Sequence, residues 1–248
     1  MSEKHYQEQL LHTRNYLIPY LHNVLGIDLS GMTILEIGCA EGGALKVLRE
    51  IGADVWGLEL EQLRVQIARN INPDLNIIIG DITASDIVHR IGKKFDLIII
   101  RDVIEHIPDK IAAFNNMADL LISGGFLYIT FPPRFSPFAG HQQHAVSKIG
   151  KMPYIHLLPA AFFSRLCRIV GESEGFIEQV LVNYSIGLSI NYFLKIFRNT
   201  GFESVVLQNF LIRPIFKTRF GLNPKKFPNI PVLRELFSLG CESILIKK

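Results

Sequence analysis

The chain has 248 residues, and 26 Lys+Arg against 23 Asp+Glu leave a formal charge of +3, with 48% hydrophobic and 20% charged residues. A chain of this length buries a substantial core without disulfides or a structural metal, and its composition excludes a disordered or fibrous protein. No run reaches the roughly 18 uninterrupted apolar residues that crossing a bilayer requires.

The stretch Tyr6 to Leu25 reads as an amphipathic helix, with Leu10, Leu17, Leu21 and Val24 on one side. Thr33 to Ile37 is a first strand, followed by a Gly-rich turn from Gly38 to Gly43 and a helix through Leu45, Leu48 and Ile51. Val55 to Glu59 is a second strand; its helix carries Leu63 and Ile67 and stops at Asn72-Pro73, because proline lacks an amide donor. Asn76 to Ile79 is a third strand, followed by a short helix with Ser85 as its cap. The continuous apolar run Phe95 to Ile100 suits a central parallel strand covered on both faces. A helix from about Asp109 and a fifth strand over Phe126 to Phe131 complete the rhythm. Beyond it, Pro132 to Pro159 holds five prolines and three histidines with no period, the mark of a functional loop. A helix over Ser189 to Asn199, a strand over Val205 to Phe210, an irregular segment from Ile212 to Pro231 and a last strand at Ser243 to Ile246 follow. Alternating strands and helices imply an α/β fold: a Rossmann-like, doubly wound sheet of seven strands, mostly parallel with an antiparallel last strand, plus enlarged lid loops. The expected layout is one domain: a helical lid over 1–30, a cofactor-binding core over 31–131, a substrate-side insertion over 132–188, and a C-terminal part over 189–248.

The turn Glu36-Ile37-Gly38-Cys39-Ala40-Glu41-Gly42-Gly43 lies at the carboxyl edge of the sheet, where open parallel sheets bind ligands. Glycines there let backbone amides approach a ligand, and the following helix start presents free N–H groups. Glu59, about 20 residues on at the end of the next strand, is placed for ribose hydroxyls. A dinucleotide would need glycine where Ala40 stands, and Glu36 and Glu41 would repel its pyrophosphate. S-adenosylmethionine has no phosphate and carries a sulfonium and an ammonium, so the carboxylates favour it. A nicotinamide-dependent oxidoreductase is the rival enzyme, and a non-catalytic scaffold keeping the fold is the rival from another class.

The stretch Ile34 to Gly43 resembles the first motif of class I S-adenosylmethionine-dependent methyltransferases. The resemblance continues through Gly57-Leu58-Glu59, Gly80-Asp81, Phe95 to Ile99, Asp102 to Ile107 and Gly124 to Thr130. The family pattern E-x-G-x-G-x-G has alanine here at position 40, a departure such enzymes tolerate. The resemblance implies that Glu36, Gly38, Cys39, Ala40 and Gly42 hold the methionine end, and that Glu59, with Leu60 beside it, holds the ribose. It implies Asp81 on the adenine amine, Ile82 against the ring, and the Arg101 carbonyl beside Asp102 for the ammonium. Glu105 and His106 shape the floor of such sites.

Methyl transfer is an in-line displacement that proximity accelerates, and a hydroxyl acceptor benefits from a base. His141 is the first candidate and His144 the second, both on the loop after the fifth strand. Without a nearby carboxylate, H-x-x-H gives no metal site. Pro132-Pro133 follows the fifth strand rather than the fourth, unlike the motif of adenine amino-methyltransferases, so a nucleic-acid acceptor is disfavoured. The loop pattern resembles polysaccharide- and glycolipid-assembly methyltransferases, which points to a small-molecule acceptor bearing a sugar or lipid-linked hydroxyl. Between 211 and 228, Arg213, Lys217, Arg219, Lys225 and Lys226 alternate with Phe216, Phe220 and Phe227, a pattern suited to an anionic acceptor, a peripheral membrane contact or single-stranded nucleic acid, or to a plain solvated lid. The polar start and three scattered cysteines (Cys39, Cys167, Cys241) suggest a reducing, cytoplasmic setting.

Overall fold

The computed structural model describes residues 2–248. The single helix expected over 6–25 is two: α1 (Ser2–His12) runs through a π-helical turn at Thr13–Leu17 into α2 (Ile18–Leu25), which left-handed Gly26 ends. Then β1 (Thr33–Ile37), α3 (Gly43–Glu50), β2 (Asp54–Glu59), α4 (Gln62–Ile71) and β3 (Asn76–Ile79) follow as the periodicity predicts. The short helix α5 (Ile87–Ile91) starts after Asp86, one residue beyond the expected cap, and no side chain caps it. Next come β4 (Phe95–Arg101), α6 (Lys110–Leu120), whose cap Asp109 accepts from the Ala112 amide, and β5 (Leu121–Phe131).

These five strands are parallel in the order β3-β2-β1-β4-β5. Successive residues of a strand point to opposite faces, so β4 sends Ile98 and Ile100 to one core and Leu97 and Ile99 to the other. On the first face they pack under α5 and α6; on the second, under α2, α3 and α4. Both faces are dry, which is why β4 reads as an unbroken apolar run.

The insertion is more ordered than its prolines suggest. It contains α7 (Ala160–Ile169) and α8 (Glu174–Ile186), which bury Phe163, Cys167, Phe176, Ile177 and Val180 in a small core of their own. Arg134 latches it to the end of β5: its amide donates to Leu188, its carbonyl accepts from His156 Nε2, and its guanidinium lies 4.4 Å from the Tyr184 ring centre. Then α9 (Ile190–Asn199) fills the core beneath α6 with Phe193 and Phe197.

The sheet has eight strands, not seven. The last part contains β6 (Phe202–Ile212), α10 (Ile215–Phe220), β7 (Lys225–Phe227), α11 (Leu233–Phe237) and β8 (Gly240–Lys247). The unexpected strand is β7: three residues between Pro224 and Pro228, too short to show alternation, paired at the sheet edge with β6. β8 inserts antiparallel between β5 and β6, as the expected antiparallel last strand, giving β3-β2-β1-β4-β5-β8-β6-β7. Because β8 runs backwards, its start meets the ends of β5 and β6: Thr130 is opposite Glu242, and Phe210 opposite Gly240. Those ends, with the ends of β1 and β4, form one edge of the sheet.

Candidate active site

A cleft lies on that edge, lined by Glu36, Gly38 and Ala40 at one end and by Asp102, Arg213 and Gly240 at the other. The chain leaves β1 through three left-handed residues, Gly38 (φ 70°), Ala40 (φ 49°) and Gly42 (φ 77°). A Cβ on Gly38 would sit 2.4 Å from Val103 Cγ2, so only glycine fits there. Ala40 keeps a glycine-like backbone despite its Cβ, and its amide donates to Glu59 Oε2 at 2.8 Å. Glu59 therefore braces the turn, its other oxygen accepting from the Glu61 amide at 3.0 Å. A carboxylate has about four lone-pair sites, so this bracing leaves capacity for hydroxyl donors.

Glu36 stands at the floor of the cleft. Arg101 Nη2 donates to its Oε1 at 2.5 Å, while Oε2 is buried and has no hydrogen-bond partner among the described residues. Burial pushes the Glu36 carboxyl above its ordinary range and Arg101 opposes that rise. Burial, with the carboxylates of Glu36, Glu59 and Glu41, also pushes the Cys39 thiol up. The turn thus sits in a negative field, which attracts a cation and opposes a pyrophosphate.

The opposite wall is an ion pair. Arg213 Nη2 donates to Asp102 Oδ1, which also accepts from Thr130 Oγ1 at 3.2 Å. Burial alone would raise the Asp102 carboxyl, but Arg213 together with Arg219 and the Thr130 hydroxyl holds the group below the usual range. Asp102 itself is left-handed (φ 54°), held by its amide to the Thr130 carbonyl.

The roof is α1. His5, Glu8, Gln9 and His12 line the cleft, their i, i+3, i+4, i+7 spacing setting them on one face of the helix. Gln9 clamps the turn, Oε1 accepting from the Gly43 amide and Nε2 donating to the Cys39 carbonyl, and His5 Nδ1 donates to Glu41 at 2.6 Å. His12 is buried with Nδ1 unpartnered; burial, then Arg101, lowers its pKa to about 3, so it is neutral near pH 7. Beneath the lid, Tyr16 and Tyr128 hydroxyls both donate to Glu242. Neither His12, Gln9 nor Glu242 stands out in the sequence, since each is recruited from outside the recognised motifs.

Of the expected cofactor residues, Glu36, Gly38, Ala40, Arg101 and Asp102 line the cleft. Cys39 is fully buried, and Gly42 packs behind the turn against Leu75. Leu60 is exposed beyond Glu59. Asp81 is exposed and its Oδ1 accepts from the amide and hydroxyl of Thr83, while Ile82 is buried in the core. Leu60, Asp81 and Ile82 stand away from the cleft lining, and Glu59 is buried just behind it, reaching the cleft only through its brace on Ala40. His141 (φ 61°) sets its ring 5.0 Å from that of His106, and burial followed by His106 lowers its pKa to about 4. His144 is exposed, and neither histidine lines the cleft. Glu105, His106 and His141 offer three ligand atoms within 4.8 Å of one another, a grouping of cation-binding size that the H-x-x-H spacing does not reveal.

A family model for the methyltransferase domain matches residues 5–169. Among curated proteins, the chain is 29% identical over 118 residues to the ubiquinone biosynthesis O-methyltransferase of Alkalilimnicola ehrlichii, covering 46% of this chain and 47% of that protein. It is 27% identical over 135 residues to that of Stutzerimonas stutzeri, covering 54% and 56%. The chain thus spans about half the length of the curated relatives it matches. Among solved structures, the plantazolicin methyltransferase BamL, in complex with a triazolic desmethylPZN analog and SAH, superposes with a TM-score of 0.62 at 13% identity, covering 99% of this chain and 86% of that one. An S-adenosylmethionine-dependent methyltransferase from Mesorhizobium loti gives 0.58 at 17% identity, covering 92% and 96%. These neighbours share the Rossmann-like sheet, and the family match runs over about two-thirds of the chain: the chain belongs to the class I S-adenosylmethionine-dependent methyltransferases.

Proposed function

We propose that the protein transfers a methyl group from S-adenosylmethionine to a hydroxyl oxygen of a small molecule, with sugar and lipid-linked acceptors as the first class to test. The observation that carries the reading is the unpartnered, buried Glu36 Oε2 at the floor of a cleft beside Gly38, a fitting acceptor for the ammonium of the cofactor. When bound, S-adenosylmethionine supplies an electrophilic methyl on a cationic sulfur. This chain's part is to hold it: Glu36 takes the ammonium, and Glu59 uses its spare lone pairs for ribose hydroxyls. Oxygen as the methylated atom draws support from the curated relatives, which are named O-methyltransferases.

For the proton on the acceptor we assign His141, with His144 second. His141 is neutral near pH 7 and its ring lies against that of His106. A cytoplasmic setting fits the three cysteines, all of them free thiols. Calorimetry with S-adenosylmethionine tests the core of the reading. The wild type should bind, and Glu36→Gln should weaken binding about tenfold, the equivalent of ~1.4 kcal/mol for one charged hydrogen bond. A wild type that does not bind S-adenosylmethionine overturns it.

A further inference from the structure

The longest continuous exposed stretch beside the cleft is residues 219–233, where every residue except Phe227 is exposed. It holds large apolar side chains out to solvent: Phe220, Leu222, Ile230, Val232 and Leu233 are each between 40% and 66% exposed, and Phe237 follows at 45%. Single exposed apolar residues are ordinary, but six within 18 residues of chain need a partner. The same segment is strictly basic. No Asp or Glu occurs from residue 204 to 234, while Lys217, Arg219, Lys225 and Lys226 are exposed. Arg219 is paired with Glu8 on α1, so the three lysines remain uncompensated. The chain enters this segment through Arg213, Pro214 and Ile215, which line the cleft, so it borders the cleft mouth.

We propose that the face formed by residues 217–233 docks on an anionic lipid surface, setting the mouth of the cleft against the bilayer. This rests on the methyl-transfer reading only for the cleft it serves. Lysines around aliphatic and aromatic side chains are the pattern of interfacial binding, with charges drawn to headgroups and apolar groups buried among the upper acyl carbons. A second copy of the chain is a poorer occupant, because a twofold contact would bring like charges together with no acid to offset them. Single-stranded nucleic acid is poorer too, since base stacking needs aromatic platforms and most of this exposed set is aliphatic. No single helix among the described residues is long and apolar enough to cross a membrane. An acceptor with an apolar tail would then reach the cleft without leaving the bilayer.

The test is co-sedimentation of the full chain with phosphatidylcholine vesicles, with and without roughly one-third phosphatidylglycerol. The protein should pellet with the anionic vesicles and stay in solution with the neutral ones. Raising salt from 0.1 to 1 M, which shortens screening from about 10 to about 3 Å, should release it. Lys225→Gln with Lys226→Gln should weaken partition about 25-fold, at about fivefold per charge. Both side chains are exposed on a strand whose pairing is backbone-made, so that double variant should keep its fold and its calorimetric affinity for S-adenosylmethionine. Leu222→Ser should weaken partition by a smaller factor. Failure to pellet with anionic vesicles overturns the docking face, as does a double variant that pellets like the wild type. Displacement by a single-stranded oligonucleotide at equal charge, or a salt-stable dimer in sedimentation velocity, overturns it in favour of the other occupants. If S-adenosylmethionine binding is intact in the same sample, the methyltransferase reading stands whatever the vesicles do.

Discussion

At one end of the cleft the wall is backbone: Gly38, Ala40 and Gly42 turn within five residues, their amides donating to Leu58, Glu59 and Cys39, with the Glu36 carboxylate beside them. At the other end the wall is side chains brought from afar, Asp102 after β4 and Arg213 after β6, 111 residues apart. The first wall is specified by conformation and allows almost no variation. The second is specified by charge and can change with the loops that carry it. A cofactor common to many enzymes suits the first construction, and an acceptor particular to one enzyme suits the second.

Breaking the backbone wall should have the largest effect. Gly38→Ala forces a Cβ into Val103 at a left-handed residue, and should cost about 3 kcal/mol and abolish S-adenosylmethionine binding, read by thermal melts and calorimetry. Breaking the side-chain wall should be milder. Asp102→Asn leaves Arg213 without its anion and should cost about 2 kcal/mol, less than for a fully buried pair because Asp102 keeps some solvent access, with cofactor affinity reduced far less than in Gly38→Ala. Relieving strain should act in the opposite direction: Ala40→Gly, at φ 49°, should gain about 1 kcal/mol in chemical denaturation. The roof should give a graded response to pH. His12 is neutral in the folded protein down to about pH 3, while the unfolded chain protonates near 6.5, so the unfolded state binds more protons between these values. Stability should therefore fall as pH drops through that window, and His12→Gln should flatten the fall in urea midpoints measured from pH 7 to 4.

How much of this was legible follows the same division. The five parallel strands and the turn were readable because each is a local pattern: apolar runs for buried strands, glycines where φ is positive, Glu59 at a fixed spacing. The sequence shows Arg101 only by its position at a strand end, while the structure adds its guanidinium on Glu36. β7 escaped because three residues between prolines carry no period. α8 escaped because its buried Phe176, Ile177 and Val180 pack in an insertion core that no neighbouring motif announces. Arg213 drew attention as part of a basic segment, but its partner Asp102 lies more than a hundred positions away, and no local pattern links them.

The tie from Tyr16 to Glu242 spans 226 positions, and β8, which carries Glu242, is the strand that joins β6 to the rest of the sheet. A nascent chain that has made its glycine turn still lacks the seat for its roof. The early core can form as it is synthesised, but the cleft closes only when the final strand slides between two others, a late step that pairs distant segments and is slow by its topology. Until then the half-built edge of β5 remains open, so overproduction should reward conditions that shelter that edge.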